Sequence, residues 1–409
     1  MNTGDAAWVL VSSAMVLFMT PGLAFFYGGM DRSRNVLNML MMNFWCLLII
    51  PILWVVVGYS IAGGNFDAAF FGGFGAAFLK GIGLEGEGAK QLLTIAFLGM
   101  FAVITPALIS GAVAGRMKFT AWAIFAPVWM LLVFAPVFKW VYGGWLGVRG
   151  SLDFAGGTAI HVNAGIAALV AVLILGKRRG WPQEGSPPHS MPLVMIGTGI
   201  LWFGWFGFNA GSALGANGQA VQAFMNTFLA AAAGGLAWVL VERVRDGHPT
   251  NLGAASGIVA GLVAVTPACG YVSSMSSIWI GLAAGVVCSY AVRIKFKGGF
   301  DDALDVVGVH FVGGLVGSLM IGLFADSSHF GAEHLDGLFY GGGFKLLLEQ
   351  AIANGVTIIY SAIVTALILL AIKATVGLRV SDDEELTGLD SVEHGETAYH
   401  FGEVTMGRG

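Results

Sequence analysis

Apolar residues run along this chain in stretches of about 20, long enough to cross roughly 30 Å of hydrocarbon as helices. Short polar or glycine-containing segments separate them. The pattern predicts eleven spans, near residues 6–29, 36–62, 91–114, 119–141, 154–176, 191–211, 218–241, 252–270, 276–292, 305–325 and 343–376. Only the segment after the last span reads as soluble. The expected architecture is an all-α polytopic membrane protein, with a transmembrane domain over residues 1–376 and a tail over 377–409.

Composition agrees with that pattern. Of 409 residues, 56% are hydrophobic and 11% charged, against a charged share of roughly 25% in soluble domains. Fifteen of the twenty lysines and arginines, among them Arg32, Arg34, Arg116, Lys177, Arg178 and Arg179, fall on one side of the spans. Lys80, Lys90, Lys139, Arg149 and Lys345 fall on the other, so the first set is expected in the cytoplasm. This puts the N-terminus outside and the tail inside. No basic segment precedes the first span, and Arg32 and Arg34 follow it, so residues 6–29 read as a retained helix. The net charge of -4 says little about partners, and no nucleic-acid partner is expected.

An internal repeat runs through the spans. Leu152-Asp153-Phe154-Ala155-Gly156 is echoed by Leu304-Asp305-Val306-Val307-Gly308, and Thr105-Pro106-Ala107 by Thr266-Pro267-Ala268. Third span matches eighth, and fifth matches tenth. An offset of five spans reverses direction through the membrane, the inverted 5+5 arrangement in which a substrate path lies between two halves; the eleventh span stands outside it. Glycines at four-residue spacing, such as Gly257 with Gly261 and Gly281 with Gly285, predict close helix packing. Cys46, Cys269 and Cys288 stand singly and read as packing residues, with no metal site.

His161 and His310 lie within the fifth and tenth spans, shortly after the echoed aspartates. Ionisable groups in hydrocarbon are costly and mark pathways by default. Two neutral imidazoles facing one another can share a proton, one ring donating and the other accepting. Taking Asp153 as the helix start, eight residues at about 1.5 Å each put His161 roughly 12 Å deeper, and Asp305 to His310 gives about 7 Å. The bland alternative is two core histidines bonded to backbone carbonyls. Aromatics gather at predicted helix ends: Phe97 and Phe101 in the third span, Trp202, Trp205, Phe206 and Phe208 in the sixth, and Phe134 and Tyr142 near the end of the fourth. Aromatic faces attract cations, although interfacial belts also collect Trp and Tyr. Ser212 offers an oxygen to a cation, or simply caps a helix. His189, His248, His329, His334, His394 and His400 read as solvated loop or tail residues. No phosphate-binding loop, metal-ligand cluster or positioned nucleophile occurs, so neither an enzyme nor a cofactor is expected.

Several long motifs in one order resemble the Amt/Mep/Rh ammonium transporter family, in its bacterial and archaeal Amt branch. They are Leu152 to Gly157 running on to His161-Val162-Asn163, Trp205 to Ser212, Thr266 to Tyr271, Asp305 to His310, and the tail from Gly377-Leu378-Arg379-Val380 to His394-Gly395-Glu396. The resemblance implies a trimeric eleven-helix channel in the cell membrane, one path per subunit. It implies that His161 and His310 are paired pore histidines, that Phe101 and Phe208 close the pore, and that Ser212 and nearby aromatics form an external ammonium site. Asp153 would shape that site, and the tail would receive a PII-type signal protein. One departure stands out: Tyr142 lies where the family usually has tryptophan, and a shifted alignment would bring in Trp140 or Trp145. The expected function is ammonium recruitment and conduction of ammonia, with an ammonium sensor signalling through its tail as the alternative.

Overall fold

A computed structural model describes residues 2–65, 67–183, 187–329 and 336–399. Among these the chain is helical, apart from two isolated β-bridges, Met117 with Arg379 and Val272 with Ala325. Ten helices are long and apolar enough to cross a membrane: α1 (Thr3–Met30), α2 (Val36–Gly63), α3 (Gly86–Val113), α4 (Phe119–Arg149), α5 (Gly157–Leu175), α6 (Met191–Gly211), α7 (Gly218–Arg245), α9 (Ser274–Gly298), α10 (Val307–Phe324) and α11 (Lys345–Thr375). This is a multi-pass membrane protein. The eighth helix, α8 (Asn251–Val265), has 15 residues, about 22 Å at helical rise and short of the full hydrocarbon thickness.

The predicted span at 252–270 is therefore too long. Pro267 has no N–H for the helical ladder, and its carbonyl accepts from Phe154 N at 3.0 Å, so the chain continues from Thr266 as turns. The matching Thr105-Pro106-Ala107 lies inside α3. In both copies the threonine hydroxyl donates four residues back, Thr105 to Phe101 O at 2.6 Å and Thr266 to Leu262 O at 2.7 Å.

Small residues bring the helices together as their spacing predicts. A Cβ on Gly261 would strike Ala230 O, one on Gly285 would strike Gly234 O, and one on Gly317 would strike Ala264 O. Without Cβ atoms at these points α7, α8, α9 and α10 approach backbone to backbone, where dispersion contacts replace the missing hydrophobic drive. Cys46, Cys269 and Cys288 are buried and unpaired.

The tail is more ordered than its composition suggests. Ser381 and Glu384 form a capping box that starts α12 (Asp382–Thr387), and α13 (Leu389–His394) follows. The acidic run Asp382-Asp383-Glu384-Glu385, which by composition would be a plain solvated segment, is anchored at its end: Glu385 is 2% exposed and accepts from Arg379 Nη2 at 2.6 Å and Arg179 N at 2.8 Å. Asp390 accepts from Asn38 N at 2.8 Å, which fixes α13 to the start of α2. Nor is His394 solvated, because Asn38 Oδ1 lies 2.9 Å from its Nε2 and Phe119 packs edge-on against its ring. His189 likewise sits between Asp31 O and the Tyr399 hydroxyl. His334 and His400 lie outside the described residues, as does the tail from 400 onward.

Candidate functional site

The site begins where α5 and α10 begin. Each opens with a π-helical turn, Gly157–Val162 and Val307–Phe311, and each turn carries one of the two histidines. Such turns place a side chain where a regular helix would not. Asp153 Oδ1 accepts from Gly156 N and Gly157 N at 2.7 and 2.8 Å, and its Oδ2 from Thr158 N and Ala159 N at 2.9 and 3.0 Å. Four N–H groups that a helix start leaves unpaired thus meet one carboxylate. Burial pushes the Asp153 carboxyl up from its ordinary value while these four donors pull it down. Gly156, at φ 121°, makes the turn that delivers them.

The second half corrects the repeat's register. Asp302, not Asp305, receives the N–H groups at the start of α10, from Val306 N at 3.1 Å and Val307 N at 2.7 Å. Counted from Asp302 the spacing to His310 is eight residues, the same as from Asp153 to His161. Asp305 instead occupies a turn at φ 64° and accepts from Lys295 Nζ at 2.6 Å. The depth estimates change too, because residues 153–156 are not helical and contribute no helical rise.

His161 and His310 face one another, Nδ1 to Nδ1 at 3.2 Å, with their rings 5.3 Å apart and nearly parallel. His310 Nε2 lies 3.4 Å from the Tyr27 hydroxyl, which donates to Leu108 O at 3.1 Å. A carbonyl can only accept, so the phenol spends its hydrogen there and accepts from His310 Nε2–H. A neutral His310 then has a bare Nδ1, His161 supplies the hydrogen between the rings, and His161 Nε2 is left bare. That nitrogen is buried and has no partner. Trp205 stacks on His161 at 5.5 Å and hydrogen-bonds Thr266 Oγ1 at 2.8 Å, which holds both in place. His161, His310 and Trp205 line a cavity of about 10 Å³ with Phe208, Leu23, Ile104, Leu108 and Ile160, room for about one water-sized molecule.

Phe208 and Phe101 separate this cavity from a larger one, their ring centroids 4.3 Å apart. The larger cavity, a vestibule of about 360 Å³ on the face opposite the tail, is lined by Phe97, Phe101, Tyr142 and Ser212 together with Trp54, Tyr59, Phe138 and Phe154. Ser212 Oγ donates to Phe208 O at 2.8 Å at the end of α6. The predicted aromatic cluster therefore divides. Trp205 and Phe208 line the inner cavity, Phe206 stacks on Phe224 at 4.1 Å, Trp202 stacks on Phe228, and Phe134 is buried against Trp54 and Phe138. Trp140 donates to Phe70 O at 2.9 Å and packs on Tyr360, and Trp145 packs on Phe70. Neither is among the vestibule's lining residues, whereas Tyr142 is. No group of three or more potential metal ligands occurs among the described residues.

The model of the Ammonium Transporter Family matches residues 7–399. The chain belongs to the ammonium transporter family. An ammonium transporter of Aquifex aeolicus is 51% identical over 98% of this chain and 94% of its own. Among solved structures, Mep2 of Candida albicans is similar at a TM-score of 0.88 and 33% identity, covering 94% of this chain and 88% of that one. A sensor Amt protein is similar at a TM-score of 0.87 and 28% identity, over 96% and 98%. The protein is an ammonium transporter.

Sequence reasoning missed several lining residues of this transporter. Trp54 and Tyr59 lie in the second span and Phe138 in the fourth, among other aromatics with no local mark of their position. Tyr27 was visible only as one tyrosine near the end of the first span. Its polar hydroxyl deep in an apolar segment was the available signal, since a buried phenol needs a partner.

Proposed function

We propose that the transporter gathers ammonium in the vestibule, strips a proton from it, and conducts ammonia past Phe101 and Phe208 along the paired histidines. The observation that supports this most strongly is the step from a cavity of about 360 Å³ to one of about 10 Å³ across a single pair of phenyl rings. An ion entering the smaller cavity would lose its hydration with only imidazoles and hydrocarbon to replace it, a cost of several kcal/mol or more. Ammonia carries no charge and loses little. In the vestibule the π faces attract a cation, and Ser212 offers oxygen lone pairs because its hydrogen is committed to Phe208 O. The Asp153 charge lies behind this region and stabilises positive charge there. Within the inner cavity the bare His161 Nε2 accepts a hydrogen bond from ammonia, or takes the proton that ammonium sheds on becoming ammonia and relays it through its Nδ1–H to His310.

Potassium resembles ammonium in size and charge, and it has no proton to leave behind. Exclusion of potassium thus rests on the chemistry of the substrate and needs no carbonyl filter. This reading places the vestibule outside the cell and the tail in the cytoplasm, in keeping with the basic residues near the tail face. It includes a homotrimer, each subunit with its own path, and a PII-type protein at the tail face. The names of the relatives favour transport over sensing as the chief role.

Purified protein in liposomes tests the reading. Saturable uptake of methylammonium that is lost in His310→Ala supports it. Uptake no greater than in protein-free liposomes overturns it. For the partner, deletion of residues 377–409 should abolish capture of a PII-type protein from solution, and capture that survives deletion of the tail and of the loops beside it would refute that part.

A further inference from the structure

The last helix, α11, supplies the side chains that hold the turn carrying Asp153. Gln350, buried on α11, meets the backbone of Leu152 with both ends of its carboxamide: Oε1 accepts from Leu152 N at 2.7 Å, and Nε2 donates to Leu152 O at 2.8 Å. A neighbouring strand would satisfy the same two groups in the same way. The Gln350 amide also donates to Ser318 O and Ser318 Oγ, each at 3.0 Å, which ties the turn to α10. One turn further along α11, Asn354 Nδ2 donates to Ser318 Oγ and to Gln350 O, both at 2.7 Å, while its Oδ1 accepts from Thr158 Oγ1 at 3.1 Å. Thr158 is one of the four residues whose N–H groups meet the Asp153 carboxylate. The residue before Asp153 and the first turn of α5 after it are therefore both fastened to α11.

The hydrogens of this cluster have one consistent assignment. Ser318 Oγ accepts from both amides, so its own hydrogen goes to Thr158 Oγ1 at 3.1 Å, and the Thr158 hydrogen goes on to Asn354 Oδ1. Buried polar groups satisfied in this way rigidify a site. The start of α10 is held differently, by charge: Lys295 Nζ donates to Asp302 O at 2.9 Å and Asp305 Oδ1 at 2.6 Å, and Arg178 pairs with Asp301 at 2.8 Å. Among the described residues no lysine or arginine forms an ion pair with Asp153. A carboxamide fixes a backbone without adding charge, so no fixed cation cancels the field of this carboxylate.

We infer that Gln350, supported by Asn354, is a positioning residue for ammonium: it holds the Asp153 turn in place, and with it the vestibule residues Phe154 and Ala155, while leaving the carboxylate free of a fixed counter-charge. The inference rests on the proposed reading of transport and adds the part played by α11. Gln350 acts through the turn and does not itself touch the substrate.

Four proteins in liposomes test this: wild type, Gln350→Met, Asn354→Leu and Thr365→Val. Thr365 serves as the control because its Oγ1 accepts from Trp129 Nε1 at 2.9 Å, a buried hydrogen bond of the same helix away from the turn. The measurements are the half-saturating methylammonium concentration and the maximal rate per assembled protein, with melting temperature recorded for each. Gln350→Met should raise that concentration about three- to tenfold, the scale of a lost hydrogen bond, with a smaller change in maximal rate. Thr365→Val should lower the melting temperature and leave the concentration unchanged. An unchanged concentration in Gln350→Met overturns the inference. So does an equal rise in Thr365→Val, because any loosening of α11 would then suffice. If Gln350→Met does not assemble, Asn354→Leu decides by the same two criteria. Absence of saturable uptake in the wild type would instead count against the transport reading itself, so the two failures are distinguishable.

Discussion

The vestibule and the inner cavity are made of similar residue types and do different work. Both contain aromatic rings and both lie near one end of α5, yet one holds about 360 Å³ and the other about 10 Å³. Ser212 lines the vestibule, as do Phe154 and Ala155, the two residues that follow Asp153 in the chain. The inner cavity has two imidazoles, whose hydrogens the Tyr27–Leu108 contact arranges in one direction. A cation is stabilised in the first place and penalised in the second. On the mechanism we propose, the difference puts selectivity at the boundary between them, where phenyl rings from α3 and α6 meet at 4.3 Å.

The largest effect is expected at Asp153, which supports both regions. Asp153→Ala leaves four N–H groups at the start of α5 without their acceptor, each worth roughly 1–3 kcal/mol if it stays buried and unpaired. Thermal melting should fall by many degrees and ammonium uptake should disappear. Wild-type uptake in that variant would show that neither cavity depends on the carboxylate.

Next come the histidines. His161→Ala or His310→Ala enlarges the inner cavity and removes half of the hydrogen-bonded pair, so the contrast between the regions weakens. Loss of activity, or admission of potassium, is the expected result in paired uptake measurements with assembly intact. Reduced folding yield with normal transport per assembled protein would return both residues to a packing role.

Tyr27→Phe tests the direction of the hydrogens. Without the hydroxyl, His310 Nε2 has no fixed acceptor and the two tautomers of the pair become closer in energy. A fall in uptake of about three- to tenfold is expected, the scale of one hydrogen bond, with potassium still excluded. Unaltered uptake would mean that the pair orders itself.

The smallest effect compares the two helix-starting aspartates. Burial pushes the Asp302 carboxyl up to about 6, above the ordinary range, with Asp305 adding to it, while Lys295 and two backbone donors pull it down. A carboxyl raised by folding contributes stability when protonated, and that contribution is lost as pH rises through its folded value. The melting temperature should therefore decline between about pH 4 and pH 6 on account of this group and then level off, and Asp302→Asn should flatten that part of the profile. A profile identical in wild type and Asp302→Asn would remove Asp302 as its source.

These residues also show how far the chain could be read before its structure was known. Ten of the apolar segments were legible as membrane-length helices because length and composition fix them, and His161 and His310 because an imidazole in hydrocarbon calls for explanation. The register of the repeat was not. Leu304-Asp305 imitates Leu152-Asp153 in letters, but the backbone turns at Asp305 and brings Asp302 to the helix start instead. Tripeptide likeness carries no information about which carboxylate meets which N–H group. The end of α8 before Thr266 was hidden for a similar reason, since Pro106, the counterpart of Pro267, is tolerated inside α3 and only the contact from Phe154 N decides the difference. Division of the aromatics between two cavities depends on which face of each helix turns inward, and uniformly apolar helices leave no polar face to show it.

The most direct measurement is charge movement in proteoliposomes exposed in turn to ammonium and to potassium pulses at equal concentration. Saturable uptake and any accompanying current with ammonium, and no current with potassium above protein-free liposomes, is the expected result. Potassium currents comparable to those with ammonium would mean that intact cations cross the Phe101–Phe208 boundary, and that the small cavity behind it does not exclude charge.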